Sequence, residues 1–229
     1  MEQVGFIGAM DKKDLLLNVG SVLAKSGLKV LLIDATSVQR LRYVVPMVES
    51  TPTMTFISEY CGVDVAVGFM NYAGIAQYLR TQNLPYDIIM VDSDNIQTVS
   101  SFGLIGFKKK FIVTSYDVFE ENKIMEILRY IRQPFEIDKV IFSPDITAKQ
   151  DAYLNHLLSE TTAQIGKHTV LFNDADVDKR ANLQNQLVKN ITFKKFTSSY
   201  RASLEYLTSI IAEGILKQDV IRQTIKRIW

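Results

Sequence analysis

Residues 6–20 read FIGAMDKKDLLLNVG: the end of an apolar run, one glycine, a lysine pair between two aspartates, and then an amphipathic segment. A buried strand running through a short polar loop into a helix is the opening unit of a repeated βα protein. The loop decides what such a unit can hold. Glycines there would let backbone amides converge on an anion at the helix N-terminus, whereas carboxylates would repel it.

The pattern repeats outward from this stretch. Apolar runs of strand length are predicted at 3–8, 29–34, 86–92, 109–114, 138–143 and 167–172. Their near-continuous Val, Ile, Leu and Phe content marks strands covered on both faces. Helices are predicted at 14–26, 71–82, 94–103, 118–132, 148–160 and 178–188, and one long final helix over about 200–227. The first helix stops at KSG, with Lys25 in its last turn and Gly27 just beyond. Residues 37–70 carry mixed periods and two prolines and leave room for an extra strand or hairpin. The expected fold is α/β, a mostly parallel sheet flanked by helices on both faces, in a single domain over 1–229 whose last part, 205–229, is an amphipathic helix.

Composition narrows the function. The 229 residues are 47% apolar and 22% charged, with a formal net charge of +1. No overall field therefore draws the chain to nucleic acid or an acidic surface, and contact with nucleic acid is not expected. One cysteine, Cys61, and two histidines, His156 and His168, leave almost no material for a zinc or catalytic-cysteine site. No metal is expected; Cys61 reads as a small core residue and both histidines as structural. No apolar run approaches the ~20 residues that span a bilayer, so the expectation is a cytoplasmic chain.

Asp34 and Asp92 end apolar strands on the side where open α/β sheets bind ligands, which makes them site candidates or loop caps. Asp11 and Asp14 read as helix-capping or first-turn residues rather than metal ligands. Lys12 is either a residual phosphate contact or a solvated lysine in a tight turn. The KKK at 108–110 reads as a solvated loop or edge, and NITFKKFTSS near 195 as a thin basic cluster. At the C-terminus, Ile221, Ile225 and Ile228 with Trp229 recur at helical spacing, while Lys226 and Arg227 sit on the remaining surface. Such a segment packs on its own domain, on a partner, or on a membrane interface.

Three stretches together resemble the MinD/ParA family of P-loop ATPases with a deviant Walker A loop. LAKSGLKVLLIDAT at 23–36 resembles LAxxGxKVLLIDAD; LPYDIIMVDSD at 84–94 resembles the Walker B region YDYIIIDTP; FIVTSYDVFEENKIMEILRYI at 111–131 resembles the next strand and helix. With Asn18 set on the asparagine of KGGxGKTTxxxN, the signature lysine falls on Ile7. The three glycines fall on Gly8, Ala9 and Asp11, the P-loop lysine on Lys12, and the two threonines on Lys13 and Asp14. Thr36 stands where the family has its second aspartate, and Ser143 and Pro144 lie where it often has an adenine-binding asparagine. The resemblance thus implies a P-loop NTPase fold with a vestigial nucleotide site at Gly8, Asp11, Lys12, Lys13, Asp34 and Asp92. It implies a pseudo-ATPase serving as a binding or scaffold module for division, positioning, secretion or pilus machinery, with no cofactor expected. The alternative is a weakly active ATPase using ATP and Mg²⁺. The implied partners are a protein or an active paralogue, a second copy in a homodimer through the face around 7–14, and a peripheral membrane contact through the C-terminal helix.

Overall fold

A computed structural model describes residues 1–46, 55–143, 148–173 and 175–228. Eight strands form one sheet in the order β3-β4-β2-β5-β1-β6-β7-β8. They are β1 (Glu2–Ile7), β2 (Val30–Asp34), β3 (Phe56–Tyr60), β4 (Val63–Val67), β5 (Ile88–Ser93), β6 (Lys109–Thr114), β7 (Phe135–Phe142) and β8 (Ala163–Phe172). All neighbours pair in parallel except β3 with β4. The central strands are buried along nearly their whole length, as their uninterrupted aliphatic sequences require.

Helices cover both faces, each over its own apolar cluster. On one face α1 (Lys13–Lys25), α6 (Asp176–Val188), α7 (Ser198–Ile211) and α8 (Gln218–Arg227) pack over Phe6, Leu32, Met90 and Phe111. On the other, α2 (Tyr72–Tyr78), α3 (Ile96–Ser101), α4 (Val118–Leu128) and α5 (Ala148–Ser159) cover Ile7, Leu31, Ile89 and Ile112. Because side chains alternate along a strand, consecutive residues such as Phe6 and Ile7 feed opposite cores.

The six predicted strands and the first helix are present close to their expected limits. β7 and β8 begin earlier, at Phe135 and Ala163. The early half of β7 alternates buried Phe135 and Ile137 with exposed Glu136 and partly exposed Asp138, and so lacks the continuous apolar signal. The ambiguous region holds a β3–β4 hairpin, while its residues 47–54 lie outside the described residues. The hairpin turns on Cys61 and Gly62, both left-handed at φ 53° and 88°, the conformation a two-residue turn needs to match strand twist. Cys61 is therefore a half-buried turn residue rather than a core one.

The final long helix is also different. It breaks between Ile211 and Gln218, with Gly214 at φ +82°. The carbonyls of Ile211, the last residue of α7, and Glu213 just beyond it accept from Lys109 Nζ at 2.9 and 3.4 Å, a cation at a helix C-terminus. Lys110 is buried, with its ammonium on the Phe107 carbonyl. Two of the three lysines expected to be solvated are thus built into the fold. The break lets α8 turn back on the domain, where Ile221, Ile225 and Ile228 join the core. Of the arrangements open to this segment, packing on its own domain is the one present; Lys226 and Arg227 remain exposed, and Trp229 lies outside the described residues.

Candidate functional site

Strands β1, β2 and β5 are adjacent, so their C-terminal ends bring the loop at 8–12, Asp34 and Asp92 together. Asp34 and Asp92 are register partners across β2 and β5. Gly8 leaves β1 at φ +154°, and a Cβ there would lie 2.3 Å from the Val113 carbonyl of β6. The glycine is required by this close backbone approach.

Lys12 points inward. It is 2% exposed, its Nζ lies 2.9 Å from Asp92 Oδ1, and it donates to the loop carbonyls of Met10 at 3.0 Å and Gly8. The solvated-turn reading does not describe it. Asp92 is fully enclosed, and burial pushes its carboxyl up to about 7; Lys12 opposes the shift and Asp34 adds to it. The contact with Lys12 is a charge contact, since Oδ1 has no aligned hydrogen-bond donor. An isolated buried charge is costly, which accounts for the position of the ammonium.

The other residues expected at the site are satisfied locally. Asp11 Oδ1 accepts from the Lys13 amide at 3.2 Å, an Asx-type start to α1. Its Oδ2 lies 2.7 Å from Lys13 Nζ and 3.3 Å from Arg40 Nη1. Asp14 sits in the first turn of α1 and accepts from Gln186 at 2.6 Å; burial raises its pKa. Burial alone would lower the Lys13 pKa, but Asp11 and Asp14 together raise it. Asp34 ties the loop after β2: Oδ1 accepts from the Thr36 hydroxyl at 2.6 Å and Oδ2 from the Leu41 amide at 3.0 Å. Asn18 bonds Asn182 and Tyr200, both at 3.0 Å, joining α1 to α6 and α7.

Two contributors were missed from sequence. Arg40 lies in the stretch whose periods gave no assignment. Asp94 accepts from the Ser37 amide at 2.9 Å and from Asn95 at 2.8 Å, fastening the loop after β5 to that after β2. The space left among Ala9, Lys12, Asp34, Thr36, Arg40 and Asp92 is a cavity of about 50 Å³. That is room for one or two waters, against the ~300 Å³ or more of ordinary small-molecule sites. Its lining holds the Lys12–Asp92 charge pair and the hydrogen-bonded carboxylates of Asp11 and Asp34. His156 and His168 lie elsewhere, His168 with its ring on the Tyr206 hydroxyl at 2.9 Å.

No protein-family model and no curated protein matches the chain. Solved structures do. The MinD cell division protein of Aquifex aeolicus is 15% identical over 94% of this chain and 99% of that one, with a TM-score of 0.56. The MinC:MinD cell division protein complex of the same organism gives 14% identity, 95% and 98% coverage and 0.56. A Cyanothece McdA–ATP complex gives 12% identity, 95% and 98% coverage and 0.55. At these identities the likeness is one of fold: the chain has the mostly parallel sheet and flanking helices of the MinD/ParA P-loop NTPases.

Proposed function

We propose that this chain is a MinD/ParA-like pseudo-ATPase, a degenerate member of that group that acts as a binding or scaffold module rather than by turning over nucleotide. The observation that carries the reading is the Lys12–Asp92 pair: the side chain that would meet phosphates is buried on its own loop and strand. The surrounding substitutions support it. Asp11 puts a carboxylate where the family keeps a glycine, and Lys13 offers no acceptor to a cation where the family has a hydroxyl. Ile7 is fully buried where the family has its signature lysine, so it reaches no partner. These residues do not fit a Mg²⁺-bound triphosphate, and no catalytic step is assigned to them.

The same end of the sheet supports a docking role. Val38, Tyr43, Met70, Val118 and Phe119, on loops and a helix start following β2, β4 and β6, are exposed, Tyr43 by 82%. Exposed apolar side chains at this end of the sheet suit a second copy, an active paralogue or another protein better than water. A structural neighbour solved with MinC makes a protein partner reasonable. Calorimetric titration with ATP and with ADP, with and without Mg²⁺, tests the reading: no heat and no shift in Tm are expected. Phosphate release that disappears in Lys12→Ala would overturn it.

The convergence of Lys12, Asp34 and Asp92 favours one second reading, a weakly active ATPase whose loop must first open. Asp11→Gly with Lys13→Thr separates the two. It raises nucleotide affinity under the second reading and leaves it undetectable under the first.

A further inference from the structure

We infer that the groove between α3, the 3₁₀ turn that follows it (Leu104–Gly106) and the end of α4 is a binding site for a small aromatic or branched aliphatic monocarboxylate. The segments that line it lead into β6 and β7, at the end of the sheet away from Lys12 and Asp92, so the inference stands apart from whether the chain binds nucleotide. The cavity measures about 480 Å³, within the ~300–1,000 Å³ of ordinary small-molecule sites and about ten times the space beside Lys12. Missing side chains create it. The chain turns out of α3 at Gly103, left-handed at φ +66°, and a Cβ at Gly103 or at Gly106 would meet nothing within 4 Å. Val99 and Ile131 in the lining belong to the core under this face, and Ile105 packs against it. Tyr130 borders the same space and is 68% exposed.

Charge selects the occupant. Among the described residues lining the groove, Arg132 is the one charged side chain, and no carboxylate lines it. Arg132 is exposed and forms no ion pair among the described residues, whereas Arg129, three residues earlier, is matched by Glu160 at 3.1 Å. A guanidinium presents parallel N–H donors that a carboxylate accepts in pairs. Aliphatic walls beside a tyrosine ring receive a flat or branched apolar body. One cation suits one negative charge. A nucleotide, with several phosphate charges and a polar base, matches neither the single arginine nor the aliphatic lining.

Ligand-observed NMR and calorimetric titration of the full chain with 2-naphthoate and with indole-3-carboxylate test it. At least one acid is expected to bind, and its neutral amide about tenfold more weakly. Arg132→Gln should erase that preference by lowering affinity for the acid and not for the amide. Gly106→Leu puts a side chain at a backbone position that is not left-handed. It should abolish binding of acid and amide alike, with Tm unchanged or slightly raised. Tyr130→Ala should weaken both several-fold. The inference falls if neither acid binds at millimolar concentration, if acid and amide bind equally, or if Arg132→Gln keeps the preference. It also falls if Gly106→Leu and Tyr130→Ala both bind as wild type, which puts the acid elsewhere on the protein. N-acetylglycylphenylalanine carries the same carboxylate on a peptide; tighter binding of it than of either free acid would make the groove a site for a protein C-terminus and overturn the assignment.

Discussion

Lysines at the loop end of the sheet and lysines in the segment between α6 and α7 are treated in opposite ways. Lys12 has an aspartate and two carbonyls, and Lys13 has two aspartates. Among the described residues, Lys194 is exposed without an ion pair, and the Lys195 ammonium meets a neutral amide. A charge neutralised by its own chain is structural, and removing it leaves a buried partner stranded. A charge left to solvent costs the fold little and is free for something outside it. The contrast therefore separates a closed site from an open surface by stability alone.

The largest break in that contrast is at Lys12. At about pH 8, where the Asp92 carboxyl is ionised in the fold, Lys12→Met leaves it enclosed without its cation and should lower unfolding free energy by up to about 3–5 kcal/mol in urea denaturation, with a smaller loss below about pH 7. Adding Asp92→Asn should recover part of the loss, because the stranded charge is gone. Next comes pH. The Asp92 carboxyl, raised to about 7 in the fold, holds a proton that the unfolded chain gives up near 4. Its contribution is complete below about pH 4 and disappears as pH rises through about 7, a difference of at most about 4 kcal/mol. Asp92→Asn should remove that fall from a stability profile between pH 4 and 8.

A smaller effect is expected at Gly8. Gly8→Ala meets the Val113 carbonyl and should cost about 1–3 kcal/mol without any nucleotide present; a neutral result would return the glycine to a phosphate-binding role. The smallest sharpens the other side of the contrast. Lys194→Gln with Lys195→Gln should change stability by no more than about 0.5 kcal/mol, and a larger loss would make that segment's charges structural.

The fold was readable because buried parallel strands write themselves as apolar runs, as KVLLID and YDIIMVD do. Helix α1 announced its own end through Lys25 and Gly27. The gathering of Asp34 and Asp92 at one end followed from the same pattern. The direction of Lys12 did not, because a lysine in a polar loop is chemically the same word whether it faces water or a buried carboxylate. Residues 37–70 left room for a strand or hairpin without placing it, because the β3–β4 turn uses Cys61 where Asn or Asp would have signalled the left-handed pair. The amphipathic C-terminus showed an apolar face but not what covers it. Gly214, the residue that folds α8 back, looks in sequence like a tolerable glycine within a helix.

Gly8 sits where the loop leaves β1 and passes closest to β6. Its α-carbon is pressed against the backbone of β6 with no space for even a methyl group, so that point of the loop works as a fixed axle. A backbone rearrangement of the segment from Ala9 to Lys12 pivots there, like a door on a single pin. Asp11, clasped by Arg40 and Lys13 on the outer side, is the bolt that such a swing must first draw.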